Sequence, residues 1–427
     1  MIEPNSRFAS LYPVWAGQVI RRISHEVVQI ALIWYLTVQT ESLTVLSFAL
    51  IVAVLPHILF PPFFEYTLQK INQRRCILIT YGAICLTSIL MMSAFWLGKE
   101  ELWMIMLMIF IRSWRTALIT PALDDLLLVL APQYSRQRVF KANLKLRRAL
   151  GVAAPLLAAL IIINFPIYII LGLDIGIIVI TLIPLVFTRP SNRGERLHSQ
   201  SIRLDKILAE ISETISYVVH WRGFYILTCG ITMLNFLLTP GFSLLPLHVY
   251  KYFKHGVIAF CMLESAFSAG VILGEEFLAS NGGLNSIIHT ILFGILGLSF
   301  GVGLMAYAGS DQYFFVLAGI LIAGFMNPIA NEPVFAIMHA HIYPSIQQRV
   351  ASLLEGVVSS VMPLSLILVA MTAKWMNVRW WLAIGAIGCM VIAAGGFFIP
   401  DLMHIEEERT RSDLCEDKAK QNEQGGK

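Results

Sequence analysis

Arg21, Arg22, His25 and Glu26 fall within two helical turns of one another, inside the stretch GQVIRRISHEVVQIALIWYL from Gly17 to Leu36. The surrounding residues are apolar enough to cross a bilayer. A charged residue at bilayer depth costs at least ~2.5–3.5 kcal/mol, so such a cluster calls for a purpose. Gln18, Arg22, His25 and Gln29 follow i, i+4, i+7, i+11 spacing and share one helical face. Glu26 lies four residues after Arg22, within reach of an ion pair. A carboxylate whose arginine neighbour can move away is a site that takes up and releases a proton, and an imidazole beside it can relay that proton. Glu26 and His25 are therefore the expected proton-coupling pair.

Other apolar segments place polar groups at similar depth. Arg112 and Arg115 share a face at i, i+3, and Asp174 sits mid-segment in LGLDIGI. Glu264 and Glu332 lie in segments of the second half, where no Lys or Arg stands at equal depth. Arginine's planar fork suits an anionic group, so Arg22, Arg112 and Arg115 are expected substrate-binding residues. Asp174 is the second choice for the proton site. Gln29, Asn235, Glu264, Asn327, Asn331 and Glu332 complete the expected substrate wall, because an amide or carboxylate inside a helix bundle needs a partner. The competing reading is that Glu26, Asp174 and backbone carbonyls neutralise the arginines.

The elements that position these residues follow from hydropathy. The chain has 427 residues, 57% hydrophobic and only 14% charged. A window of about 20 residues finds twelve spans, near 12–37, 43–66, 76–97, 102–130, 148–164, 166–187, 219–247, 256–279, 285–308, 312–342, 349–373 and 379–399. The expected class is an all-α membrane protein. Residues 1–187 form a first six-helix bundle, 188–218 a cytoplasmic central loop, 219–399 a second six-helix bundle, and 400–427 a disordered polar tail. In the loop, Ile202, Ile207, Ile211 and Ile215 recur at helical spacing and predict an amphipathic helix on the membrane surface. Lys and Arg concentrate in loops on the side of the termini, which predicts that both termini are cytoplasmic. Glu3 and Arg7 precede a first segment too long and polar for a cleaved signal, so that segment is expected to stay as an anchor. An internal repeat joins the halves: Lys141 precedes Pro155 by the same spacing that separates Arg349 from Pro363.

Twelve spans, a six-plus-six split and a long central loop resemble the Major Facilitator Superfamily. FASLYPVWAGQVI, LLPLHVYKYFKHGVIAFCMLESAFSAGVILGE and LIAGFMNPIANEPVFAIMHAHIYPSIQQRVASLLEGVVSSVMPLSLILVA are similar to segments of its branch of macrolide-efflux proteins and siderophore exporters. The resemblance implies that Arg112 and Asp174 are partly structural, since an Arg in helix four and an Asp in helix six are common there. It also implies a cytoplasmic gate between the second and third spans, where FFEYTLQKINQRRCIL keeps Arg74 and Arg75. Glu65 stands where the family has a glycine, and Gln69 where it has the latch aspartate. Either Glu65 supplies the missing carboxylate from one turn earlier, or the latch is lost.

The function implied is secondary active export of a small organic molecule, a siderophore or an amphiphilic drug such as a macrolide. It would run by proton antiport across the bacterial inner membrane, with a monomer in the lipid bilayer as the transporting form. An importer, a lipid flippase or a transport-dead sensor on the same fold stays open. The sequence has no phosphate-binding Gly-Lys-Ser/Thr loop, no helical His-Glu-x-x-His pair and only scattered cysteines. No enzyme activity, metal or cofactor is therefore expected. The basic run at Arg147 and Arg148 is accounted for by membrane orientation, and no nucleic-acid partner is expected.

Overall fold

The computed structural model describes the backbone of residues 4–59, 73–130, 136–187, 204–280, 286–342 and 344–405. Among these the chain is helical: α1 Pro4–Thr40, α2 Leu43–Leu59, α3 Gln73–Leu97, α4 Leu102–Leu130, α5 Arg136–Asn164, α6 Ile167–Phe187, α7 Leu204–His220, α8 Arg222–Ser243, α9 Leu245–Lys251, α10 Val257–Ser280, α11 Ile287–Tyr307, α12 Tyr313–His341, α13 Pro344–Thr372, α14 Val378–Gly396 and α15 Pro400–Met403. Eight helices among the described residues are long and apolar enough to cross a membrane, and Leu43–Ile58 and Ile167–Ile183 are shorter apolar helices. Neither α1, which carries Arg21, Arg22 and Glu26, nor α4, which carries Arg112 and Arg115, is among the eight.

The helices end where local chemistry requires it. Gly98 takes φ +62°, a left-handed turn that a side chain disfavours, between α3 and α4. Asn377 caps α14 by accepting a hydrogen bond from the Trp380 amide. Three spans differ from their hydropathy limits. α5 begins at Arg136 rather than near 148, because the basic residues before the apolar run continue the helix beyond it. α1 likewise runs from Pro4. The span expected over 219–247 breaks at Leu244, and Pro246 opens the short α9, where a missing amide hydrogen costs nothing.

The chain divides into two compact units. Unit 1 comprises the described residues of 1–201, 243–268 and 366–376; unit 2 comprises those of 202–242, 269–365 and 377–427. In unit 1, α1 packs against α6, α5, α4, α2 and α9, while α3 packs against α6 and α4. Tyr81, Ile84 and Ile178 form an apolar knot there with Ile111, Trp114 and Leu182 around them. Aromatic contacts join α1 to α9 and α10 in this unit: Trp34 stacks on Phe260 at 6.1 Å and meets Tyr250 edge-on at 5.9 Å.

In unit 2, α11 is the central helix, packed on α12 and α14. Gly301 and Gly319 let two helices meet backbone to backbone: a Cβ on Gly301 would lie 2.6 Å from the Gly319 carbonyl oxygen. The tail expected from residue 400 opens with α15, and Leu402 and Ile405 are buried in this unit. Residues 406–427 lie outside the described part.

Candidate functional site

The cluster that opens the sequence argument lines a cleft of about 110 Å³ in unit 1. Gln18, Arg22, His25 and Glu26 come from α1, Arg115 and Thr116 from α4, and Asn143 and Arg147 from α5. The shared face of α1 is what turns these residues toward one space.

Behind the cleft lies a buried ion pair. Arg112 Nη1 donates to Asp174 Oδ2 at 2.6 Å, with the side chains 2% and 3% exposed. Ser24 donates to the other oxygen, Oδ1, at 2.5 Å. Both oxygens of Asp174 are thus occupied, as a buried carboxylate requires. Arg112 Nη2 lies 3.3 Å from His25 Nδ1. A guanidinium can only donate, so Nδ1 accepts and Nε2 carries the ring proton. That Nε2–H meets the Thr116 hydroxyl at 3.2 Å, which also accepts from Arg115 Nη2 at 3.1 Å and donates to the Arg112 carbonyl at 3.2 Å. The chain of bonds has one consistent direction. Arg21 also lines the cleft, and its guanidinium lies over the Tyr81 ring, 4.9 Å from the centroid.

Glu26 is placed differently from Asp174. It makes no hydrogen bond or ion pair among the described residues, although Arg22 and Arg112 lie within electrostatic reach. Glu264 of α10, half-buried in the same unit, lies within electrostatic reach of Glu26. The helix that carries it is held to α5 by a hydrogen bond from Ser265 Oγ to the Val152 carbonyl at 2.9 Å. Gln29 Oε1 is buried without a partner, one turn beyond His25 on the same face.

The remaining expected residues are not gathered here. In unit 2, Asn235 and Asn331 each donate to a carbonyl four residues back on their own helix, those of Ile231 and Asn327. Glu332 is exposed. Glu65 and Gln69 lie outside the described residues, and Arg74 and Arg75 fall in the first turn of α3. Reading the sequence passed over Ser24 and Thr116. A hydroxyl one helical turn from a buried arginine, as Thr116 is from Arg112, was the signal available. Arg147, assigned from sequence to membrane orientation, reaches the cleft, as does Asn143.

A second and larger cleft, about 420 Å³, lies wholly in unit 2 between α7, α8 and α13. Phe224, Tyr225, Cys229, Met233, Leu354 and Val357 are among its walls, and no Lys, Arg, His, Asp or Glu lines it. No group of three or more His, Cys, Asp or Glu side chains placed to hold a metal occurs among the described residues.

Residues 14–362 match the Major Facilitator Superfamily. Macrolide efflux protein A of Streptococcus pyogenes is 28% identical over 384 residues, covering 89% of this chain and 93% of that protein. The protein of the same name from Enterococcus faecalis is 27% identical over 328 residues, 76% of this chain and 99% of the relative. Among solved structures, a nucleoside transporter superposes with a TM-score of 0.68 at 10% identity, covering 90% of this chain and 98% of its own. A D-xylose-proton symporter gives 0.64 at 11% identity, covering 90% and 96%. At such identities the structures speak for the fold alone.

Proposed function

Because the chain belongs to the Major Facilitator Superfamily, and is thus a multi-pass membrane transporter, we propose that it exports an amphiphilic organic molecule of the macrolide type by proton antiport. The observation that carries this reading is its likeness, along nearly the whole chain, to proteins named for macrolide efflux. In this reading residues 1–187 and 219–399 act as two bundles that alternate access to a midplane site, and both termini and the 188–218 loop face the cytoplasm. The cell's inner membrane is its site of action, and the monomer its working form.

Protons enter the scheme through Glu26. It faces the cleft and forms no ion pair among the described residues, so in this reading its protonation does not have to break a buried pair. Asp174, by contrast, is held by Arg112 and Ser24, and serves as the lock that fixes α1, α4 and α6. The same pairing weighs against a siderophore. Arg112's charge is already matched by Asp174, which weakens the case for a basic wall awaiting an anionic cargo.

The test is accumulation of radiolabelled macrolide by inverted membrane vesicles. Uptake is expected to require an acid interior and to collapse when the gradient is discharged. Uptake confined to right-side-out vesicles would reverse the direction; uptake indifferent to the gradient would remove proton coupling. Glu26→Gln should leave a folded protein that still binds macrolide, with gradient-driven accumulation lowered about tenfold or more. For orientation, a cysteine at Ser310 should react with a reagent applied outside cells and one at Ser199 should not.

A further inference from the structure

Moved along the chain by 207 residues, the charged cleft of unit 1 falls on the apolar cleft of unit 2. Gln18 maps to Tyr225, Arg22 to Cys229, His25 to Thr232 and Glu26 to Met233; Asn143 maps to Val350 and Arg147 to Leu354. All six counterparts line the larger cleft. The shift is within one residue of the one that superposes Pro155 on Pro363 in α5 and α13. The repeat has therefore given the walls from α1 and α5 counterparts of reversed chemistry in α8 and α13: Arg22, His25, Glu26 and Arg147 are matched by a thiol, a hydroxyl, a thioether and hydrocarbon, while Arg115 and Thr116 of α4 map to Ile322 and Ala323, outside the larger cleft.

The two threonine hydroxyls of the second copy donate their protons within α8. Thr228 donates to the Phe224 carbonyl at 2.8 Å and Thr232 to the Thr228 carbonyl at 2.7 Å, both within α8. What remains is a wall of aliphatic and aromatic groups, with the Tyr225 hydroxyl hydrogen-bonded to the exposed thiol of Cys229. The sizes also differ. Sites for drug-sized molecules run to roughly 300–1,000 Å³. The charged cleft, at about 110 Å³, falls short of that range, and the apolar one, at about 420 Å³, lies within it.

We infer that the cleft between α8 and α13 binds the uncharged, apolar body of a small organic molecule. Selection is then made on the shape and size of that body, while the charged copy of the cleft deals with protons and water. The inference rests on the export reading for the identity of the cargo, but the binding itself does not need transport.

Cys229 provides the readout. In full-length protein with Cys229 as its sole cysteine, reconstituted in phosphatidylcholine nanodiscs, the rate of alkylation by N-ethylmaleimide is measured with and without N-phenyl-1-naphthylamine, which is uncharged at neutral pH. At ~10 times the probe's dissociation constant the rate should fall about tenfold by simple occupancy. Val357→Trp, which fills the cleft from a partly exposed position of α13, should remove the dependence on probe. A titration of probe fluorescence against the unmodified protein gives the same answer without relying on that variant. An alkylation rate unmoved by the probe overturns the inference. So does protection that persists in Val357→Trp. Slow alkylation in nanodiscs and fast alkylation in detergent, both indifferent to the probe, would assign the cleft to a lipid acyl chain and also overturn it. If vesicle export fails while Cys229 is protected, the export reading falls and the cleft stands; the opposite pair of results removes only the cleft.

Discussion

In unit 1, α1, α4 and α6 are tied through Ser24, Arg112 and Asp174, a polar knot that is almost wholly buried. In unit 2, α11 meets α12 where Gly294 lies against Ala330 and Gly301 against Gly319, a contact of backbone and small residues. The clefts repeat the contrast: one is lined by arginine, histidine and glutamate, the other by aromatic and aliphatic groups. Two solutions to helix association in lipid are thus at work in one chain. Charge pairing in a low-dielectric interior is directional and fails badly when one partner is lost. Close backbone packing draws on many weak contacts and is sensitive to added volume instead.

The sharpest way to break this comparison is to remove one member of the buried pair. Arg112→Met alone, or Asp174→Leu alone, leaves an uncompensated buried charge and should cost about 3–5 kcal/mol. Folded yield in the membrane should drop steeply. The double variant should regain most of the loss, because neither charge remains to be satisfied. Thermal unfolding of the purified protein in detergent, read as a double-mutant cycle, checks this. Single variants as stable as the parent would mean that the pair does not hold unit 1 together.

The matching test for unit 2 adds volume. A Cβ on Gly301 would stand 2.6 Å from a carbonyl oxygen, so Gly301→Leu should cost about 1–3 kcal/mol through forced separation of α11 and α12. In unit 1, a Cβ on Gly176 meets nothing within 4 Å. There Gly176→Ala should stabilise by roughly 0.5–1 kcal/mol, the ordinary gain from replacing glycine in a helix. Equal responses at the two positions would erase the distinction drawn between the units.

The smallest effect should come from an exposed ion pair. Lys251 Nζ lies 3.4 Å from a Glu41 carboxylate oxygen, and both side chains are about half exposed at 48% and 50%. Solvent screening reduces such a pair to roughly 0–1 kcal/mol. Lys251→Met should therefore shift the unfolding temperature little, and less still at high salt. A loss as large as that from Arg112→Met would show that burial does not separate the two kinds of pair.

Much of this was legible in the sequence. The apolar spans, the surface helix that became Leu204–His220 and the shared face of Gln18, Arg22 and His25 all follow from periodicity, which one residue passes to the next through the helix itself. Which residues share a helical face is legible for the same reason, but which partners they take is not. Nothing in the sequence says that Arg112 chooses Asp174 and His25, because those residues come together only when α1, α4 and α6 pack. Nor could it say that Asn235 and Asn331 would turn back to their own helices.

Composition and spacing alone determined that this is a helical membrane protein with ionisable groups inside apolar segments, since hydropathy and helical period are local properties of the chain. Tertiary structure decided which of those groups are paired and buried, because burial and hydrogen bonding depend on the neighbouring helices. It also decided that the repeat would give one cleft of charge and one of hydrocarbon. Substitutions such as Arg22 against Cys229 and Glu26 against Met233 are plain in the sequence, but they acquire meaning only when the fold sets both series of residues facing a cavity.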